Sequence, residues 1–202
     1  MKGFFIIVLV LVSILFGIIM TVDMKPASNS MVTVQSISPD QNRYFLKNKS
    51  ISIDLPEKYS LDPVEYKDVL FAATSSDISL NIAQLSFDYL KNSTYTQESY
   101  VDNLLKGMKN DPNQGRFEKS DGSITQVGNL GKIKLGDNYF VVHSVLQDFV
   151  DPYANSRYQF YIWEYYTKCG DSMCVILFRG KVPIDSRVSE FNAIVSTMHL
   201  DN

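Results

Sequence analysis

Residues 3–20, GFFIIVLVLVSILFGIIM, carry no charge, and Thr21-Val22 extends the run to about twenty residues, the length of a helix that spans a hydrocarbon core. Such a segment enters a membrane, so the remainder of the chain must fold without it. Whether it stays there depends on a cleavage signal, which wants small residues one and three places before the cut. A cut after Ser28 places Pro26 at the third position, a cut after Ala27 places Lys25 there, and only Ser28-Asn29-Ser30 fits weakly. Residues 1–22 therefore read as a retained transmembrane signal anchor, with a cleaved signal peptide and secretion as the alternative. No Cys stands near the end of the run, which excludes a lipoprotein anchor. Lys2 precedes the segment while Asp23 and Lys25 cancel after it, so the amino end faces the cytoplasm and the bulk of the chain lies outside, in the periplasm if there are two membranes. Gly3-Phe4 also suggests a prepilin peptidase site and a minor pilin or pseudopilin. Against this, Val8 stands where pilins carry an acidic residue, and Pro26 stops the helix early.

Residues 23–42, DMKPASNSMVTVQSISPDQN, are poor in large apolar residues and read as a flexible tether, leaving 43–202 as one extracytoplasmic domain. A unit of that length buries roughly two thirds of its unfolded surface and supports its own core. The chain is 45% hydrophobic and 20% charged with a net charge of −3 and no cluster of Lys or Arg, so nucleic acid is not an expected partner.

Hydrophobic periodicity sets out the domain. Tyr44-Phe45-Leu46 and Ser50 to Asp54 flank a polar turn, and Pro56 closes the second run. Val69 to Thr74 and Ile78 to Leu85 flank Ser75-Ser76-Asp77, a second hairpin. Thr96 opens a helix whose stripe is Val101, Leu104, Leu105 and Met108. Asp121-Gly122 joins Arg116 to Ser120 with Ser123 to Val127, and Tyr139 to Asp148, Arg157 to Thr167 and Met173 to Arg179 follow as strands. A last helix carries Val188, Phe191, Ile194, Val195 and Met198 on one side, with Asp185 placed to cap it and His199 at its end. Strands, helix, several strands, helix is the order of an α+β fold, an antiparallel β-sheet with two or more helices packed on it, preceded here by one N-terminal transmembrane helix.

With ISIDLPEKYSL near its start and FNAIVSTMHL at its end, this order resembles the PsbP-like superfamily over about residues 44–200. That group includes a photosystem II extrinsic protein, a nuclear-transport regulator and bacterial secreted or membrane-anchored proteins. The resemblance implies a fold and a bias toward protein binding, and it carries over no catalytic residue.

Cys169 and Cys174 bracket Gly170-Asp171-Ser172-Met173 between two strands. With Asp171-Ser172 as the turn, they fall opposite each other at a non-hydrogen-bonded position and form a cross-strand disulfide. Unpaired core thiols, a redox pair or half of a zinc site are the alternatives, the last two lacking the Cys-x-x-Cys spacing or further ligands they need. His143 and His199 have no ligand cluster nearby, so no metal and no cofactor is expected. His143-Ser144 points to opposite faces of a strand, and no nucleophile elbow occurs, so no catalytic residue is assigned. The Gly131-Lys132 step lacks the spacing of a phosphate loop and reads as strand with turn glycines.

The run Arg157 to Tyr166 is aromatic on both faces, Tyr158, Phe160 and Ile162 on one and Tyr161, Trp163 and Tyr165 on the other. Antiparallel sheets commonly wet one face. Either both rows are buried, or the row Tyr161, Trp163, Tyr165 is a partner-binding patch, Tyr and Trp being enriched at interface hot spots, or it lines a small-ligand groove. The expected function is a membrane-anchored, non-catalytic binding or accessory domain of an envelope assembly, with a protein partner. The alternatives are an anchored or secreted hydrolase with an unidentified site, and the pseudopilin.

Overall fold

The computed structural model describes residues 32–46, 50–64, 67–91, 93–111, 116–118, 124–151, 156–181 and 185–200. The expected anchor, the prepilin-like Gly3-Phe4 and the turn Asp121-Gly122 lie outside the described residues. Among the described residues no helix is long and apolar enough to cross a membrane.

The described residues form two antiparallel sheets and two helices, an α+β fold. The strands are β1 (Thr33–Ser38), β2 (Gln41–Leu46), β3 (Ile51–Pro56), β4 (Ser60–Leu61), β5 (Val69–Thr74) and β6 (Ile78–Ser86). Helix α1 (Gln97–Lys109) follows, then β7 (Arg116–Glu118), β8 (Ile124–Leu135), β9 (Asn138–Asp151), β10 (Ser156–Cys169) and β11 (Ser172–Gly180). Helix α2 (Val188–Ser196) and β12 (His199–Leu200) end the described chain. The small sheet has the order β1-β2-β3-β12 and the large one β4-β5-β6-β11-β10-β9-β8-β7.

The period-2 patterns decide which face each element buries. On one face of the large sheet, Phe71, Leu80, Ile82, Phe140, Val142, Tyr165, Ile176 and Phe178 meet Phe191, Ile194 and Val195 of α2 and Tyr44, Leu46, Ile53 and Leu55 of the small sheet. Phe178 stacks on Phe191 with ring centroids 4.1 Å apart. On the other face, Val141, Tyr166, Met173 and Val175 pack against Tyr100, Val101 and Leu104 of α1. Thr96 caps α1, its hydroxyl accepting from the Ser99 N–H at 3.2 Å.

The two segments that carried the family resemblance meet in space. β12 pairs with β3, and the Asp54 N–H donates to Thr197 Oγ1 at 2.9 Å. Asp54 is buried and takes a two-pronged ion pair from Arg43, Nε at 2.6 Å and Nη2 at 2.7 Å. A carboxylate buried here is stable because its charge is matched and bonded.

Three expectations need correction. Among the described residues strand pairing begins at Thr33 and not at Arg43, because Thr33–Ser38 inside the expected tether pairs with β2. All six residues of β1 are exposed, so its polar composition reflects a strand with no core behind it. Helix α2 begins at Val188 with Arg187 at its N-cap and no side-chain cap, while Asp185 opens a 3-10 turn. His199 lies in β12 and not in the helix, since α2 stops at Ser196.

A polar clamp locks one end of the domain. The buried Asn138 donates from Nδ2 to the Met198 carbonyl at 2.8 Å and accepts from Gln97 Nε2 at 3.0 Å. The Tyr139 N–H donates to Gln97 Oε1 at 2.9 Å. The start of α1, the β8–β9 hairpin and the chain after α2 are thereby joined.

Candidate functional site

Strand β10 lies inside the large sheet between β9 and β11, and its pleat sends the two aromatic rows to opposite faces. Trp163 is 6% exposed and Tyr165 fully buried, both in the core shared with α2 and the small sheet, while Tyr161 is partly buried against that core. The row Tyr161, Trp163, Tyr165 is therefore not an exposed patch, because a helix and a second sheet cover this face. Tyr165 donates its hydroxyl to Asn192 Oδ1 of α2 at 2.7 Å, and burial raises its pKa. On the other row Tyr158 is exposed.

The core of that row is polar at one point. Glu164, 2% exposed, accepts from the Tyr166 hydroxyl at 2.7 Å, and its Oε2 lies 2.8 Å from His143 Nδ1. His143 and Glu164 are cross-strand partners. Burial raises the Tyr166 pKa well above its ordinary value, and the Glu164 charge adds to this. The signal was present in the sequence: a Glu in the middle of an aromatic strand needs a bonded partner if both faces are covered. His143 is committed to this network, and Ser144 points to the opposite face, as the alternation requires.

Cys169 and Cys174 form the expected disulfide, with Cα atoms 5.8 Å apart, but in a different register. The turn is Gly170-Asp171, with Gly170 at φ +55°, so Cys169 faces Ser172 and Cys174 faces Thr167. The bond is diagonal across the hairpin. Glycine's access to positive φ places the turn one residue earlier than the side-chain chemistry of Asp171-Ser172 suggested. Lys132, at the Gly-Lys step, is a strut: Nζ lies 2.9 Å from Glu98 and 2.8 Å from Asp102 of α1.

Past the edge of the core a cleft of about 280 Å³ opens, lined among others by Gln126, Gly128, Ser144, Leu146, Tyr161 and Trp163. Two members of the aromatic row thus reach a cavity, and Tyr165 does not. The wall opposite is an irregularity in β8, where the register with β9 shifts between Val127 and Leu130. The freed Asn129 N–H donates to Ser144 Oγ at 2.7 Å. A Cβ on Gly128 would meet that same oxygen at 2.6 Å, so only glycine leaves both the bond and the cleft in place. Trp163 Nε1 is buried and has no hydrogen-bond partner among the described residues.

No family model matches the chain, and no curated protein matches it. Solved structures do. The chain is similar to the solution structure of cyanobacterial PsbP (CyanoP) from Synechocystis sp. PCC 6803, at 11% identity and a TM-score of 0.50, covering 83% of this chain and 97% of that one. It is also similar to a crystal structure from Bacteroides thetaiotaomicron VPI-5482, at 13% identity and a TM-score of 0.51, covering 79% of this chain. This chain spans about half of that one, 48%. At these identities the likeness is one of fold, and the fold it supports is PsbP-like.

Proposed function

We propose that the protein is a membrane-anchored, extracytoplasmic binding or accessory domain in an envelope assembly, without catalysis of its own, and that a partner protein inserts a side chain into the cleft walled by Tyr161 and Trp163. The observation that supports this reading is the cleft itself. Its volume of about 280 Å³ falls just below the ~300–1,000 Å³ of small-molecule sites. One of its walls is Trp163, buried in the core, and the polar residues Gln126 and Asn129 are exposed at its edge. Such a site holds an inserted anchor residue, the usual centre of a protein interface. The uncharged segment at residues 3–20 supports attachment to a membrane, and the disulfide supports an oxidising compartment outside the cytoplasm.

The test is in-cell cross-linking of the full-length chain, gentle extraction and mass spectrometry, with residues 1–42 alone as control. Gln126 is exposed at the cleft rim, so Gln126→Trp plugs the cleft without touching the core. A partner held by the full chain, lost with residues 1–42 alone and depleted by Gln126→Trp, is the expected result. A partner list identical for the full chain and the control overturns the proposal.

A further inference from the structure

The face of the large sheet that carries α1 has a second, larger cleft, where β10 and β11 reach the β5–β6 turn. It measures about 580 Å³, inside the range of small-molecule sites, and its walls are the turn Thr74 to Ser79, Phe160 and Arg179 to Lys181. Arg179 is one of its wall residues. The guanidinium carbon lies 3.6 Å from the centroid of the Phe160 ring, and Arg179 is only partly exposed. Arg179 Nε is buried without a hydrogen-bond partner, and Arg179 makes no ion pair among the described residues. Burial lowers its pKa. One wall residue, Asp77, is acidic, and it is paired with Arg187, whose Nη1 lies 3.3 and 3.4 Å from its two oxygens. Lys181 adds a second positive charge on an exposed rim position.

A partly desolvated guanidinium without a counter-ion is costly, and the remedy is an anion that fits its fork. Stacking on Phe160 holds the guanidinium plane in place, which pre-organises that fork for two parallel bonds to a carboxylate. The ring itself offers an apolar surface beside the charge. We infer that this cleft binds a small organic carboxylate with an apolar body, the carboxylate on Arg179 and the body along Phe160. The site is separate from the Tyr161 and Trp163 cleft, which opens on the opposite face of the sheet.

The test uses the full-length chain in uncharged detergent micelles, with benzoate and hexanoate as probes and benzyl alcohol and hexanol as uncharged controls. Binding is read by NMR at the amides of Ser75 to Ser79 and at the Arg179 Nε–H. The acids should give saturable shifts there and the alcohols none. Arg179→Gln should weaken binding roughly ten- to a hundredfold, the range for a charge-assisted bond. Arg179→Lys keeps the charge without the fork and should lose about tenfold. Acids that fail to saturate, alcohols that match them, or affinities unchanged in both Arg179 variants overturn the inference. Should Arg179→Gln not fold, the contrast of acids with alcohols on the native chain, repeated with Phe160→Leu, decides the matter.

Discussion

Gly136 and Gly170 have nearly the same backbone, φ +57° and +55°, and both sit in two-residue turns of the large sheet. Their surroundings differ. A Cβ at Gly170 would meet nothing within 4 Å, whereas at Gly136 it would lie 2.5 Å from the Ser196 carbonyl oxygen at the end of α2. Alanine at either position incurs about 1–2 kcal/mol for left-handed backbone. It regains roughly 0.4–1 kcal/mol by restricting the unfolded chain. Gly170→Ala should therefore cost about 0–1.6 kcal/mol. At Gly136 the hairpin tip or the end of α2 must also move, at about 1–3 kcal/mol for overpacking. The Asn138 bond to the Met198 carbonyl holds both sides of that contact and resists the movement. Gly136→Ala should thus be the less stable variant by roughly 1–3 kcal/mol. The assay is urea unfolding followed by the fluorescence of the single tryptophan, Trp163, which is buried and reports on the core. Equal stabilities, or Gly170→Ala the worse, would refute the docking of the β8–β9 hairpin on α2.

Trp163→Ala should lose about 3–5 kcal/mol, as core truncations of this size do, measured by circular dichroism in urea; a loss under 1 kcal/mol would show that the ring is not core. Tyr166→Phe removes a hydrogen bond to the buried Glu164 and should cost roughly 1.5–3 kcal/mol, while retention of full stability would mean that the carboxylate does not need it. Reducing the Cys169–Cys174 bond releases a very short loop and should cost about 2 kcal/mol or less, so global unfolding on adding dithiothreitol would contradict its role as a hairpin staple. Glu190 has a lowered pKa: burial pushes it up, but bonds from Arg187, Lys58 and Tyr59 outweigh that. Its stabilisation is complete above the unfolded-state value of about 4.3 and drains away as pH falls through the lower folded value. Glu190→Gln should flatten acid unfolding in that window, and an unchanged pH profile would remove Glu190 from the account.

Where hydrophobic period and turn chemistry agreed, the elements were legible. Thr96 opened α1, Val69 to Leu85 folded as a hairpin, and Phe191, Ile194 and Val195 formed the buried stripe of α2. β1 was not legible, because an exposed strand lacks the alternation that burial imposes. The cysteines announced their bond but not its register, which depended on where positive φ fell in the turn. The aromatic strand showed that both faces want cover, yet coverage by α2 and the small sheet is a matter of tertiary packing. The Tyr161 and Trp163 cleft needed the irregularity in β8, and Gly128 alone gave no measure of how close Ser144 comes. The Arg179 cleft escaped because the turn at Ser75 to Asp77 and the ring of Phe160 are far apart in sequence.

Site-resolved photo-cross-linking tests the central claim most directly. A benzophenone amino acid replaces Tyr161 at the cleft, or Tyr95 at an exposed position that does not line it, in the full-length chain in cells. The account predicts a discrete adduct from position 161 that position 95 does not give and that Gln126→Trp depletes. The same adducts from both positions, or none from 161, would contradict a partner seated against Tyr161 and Trp163.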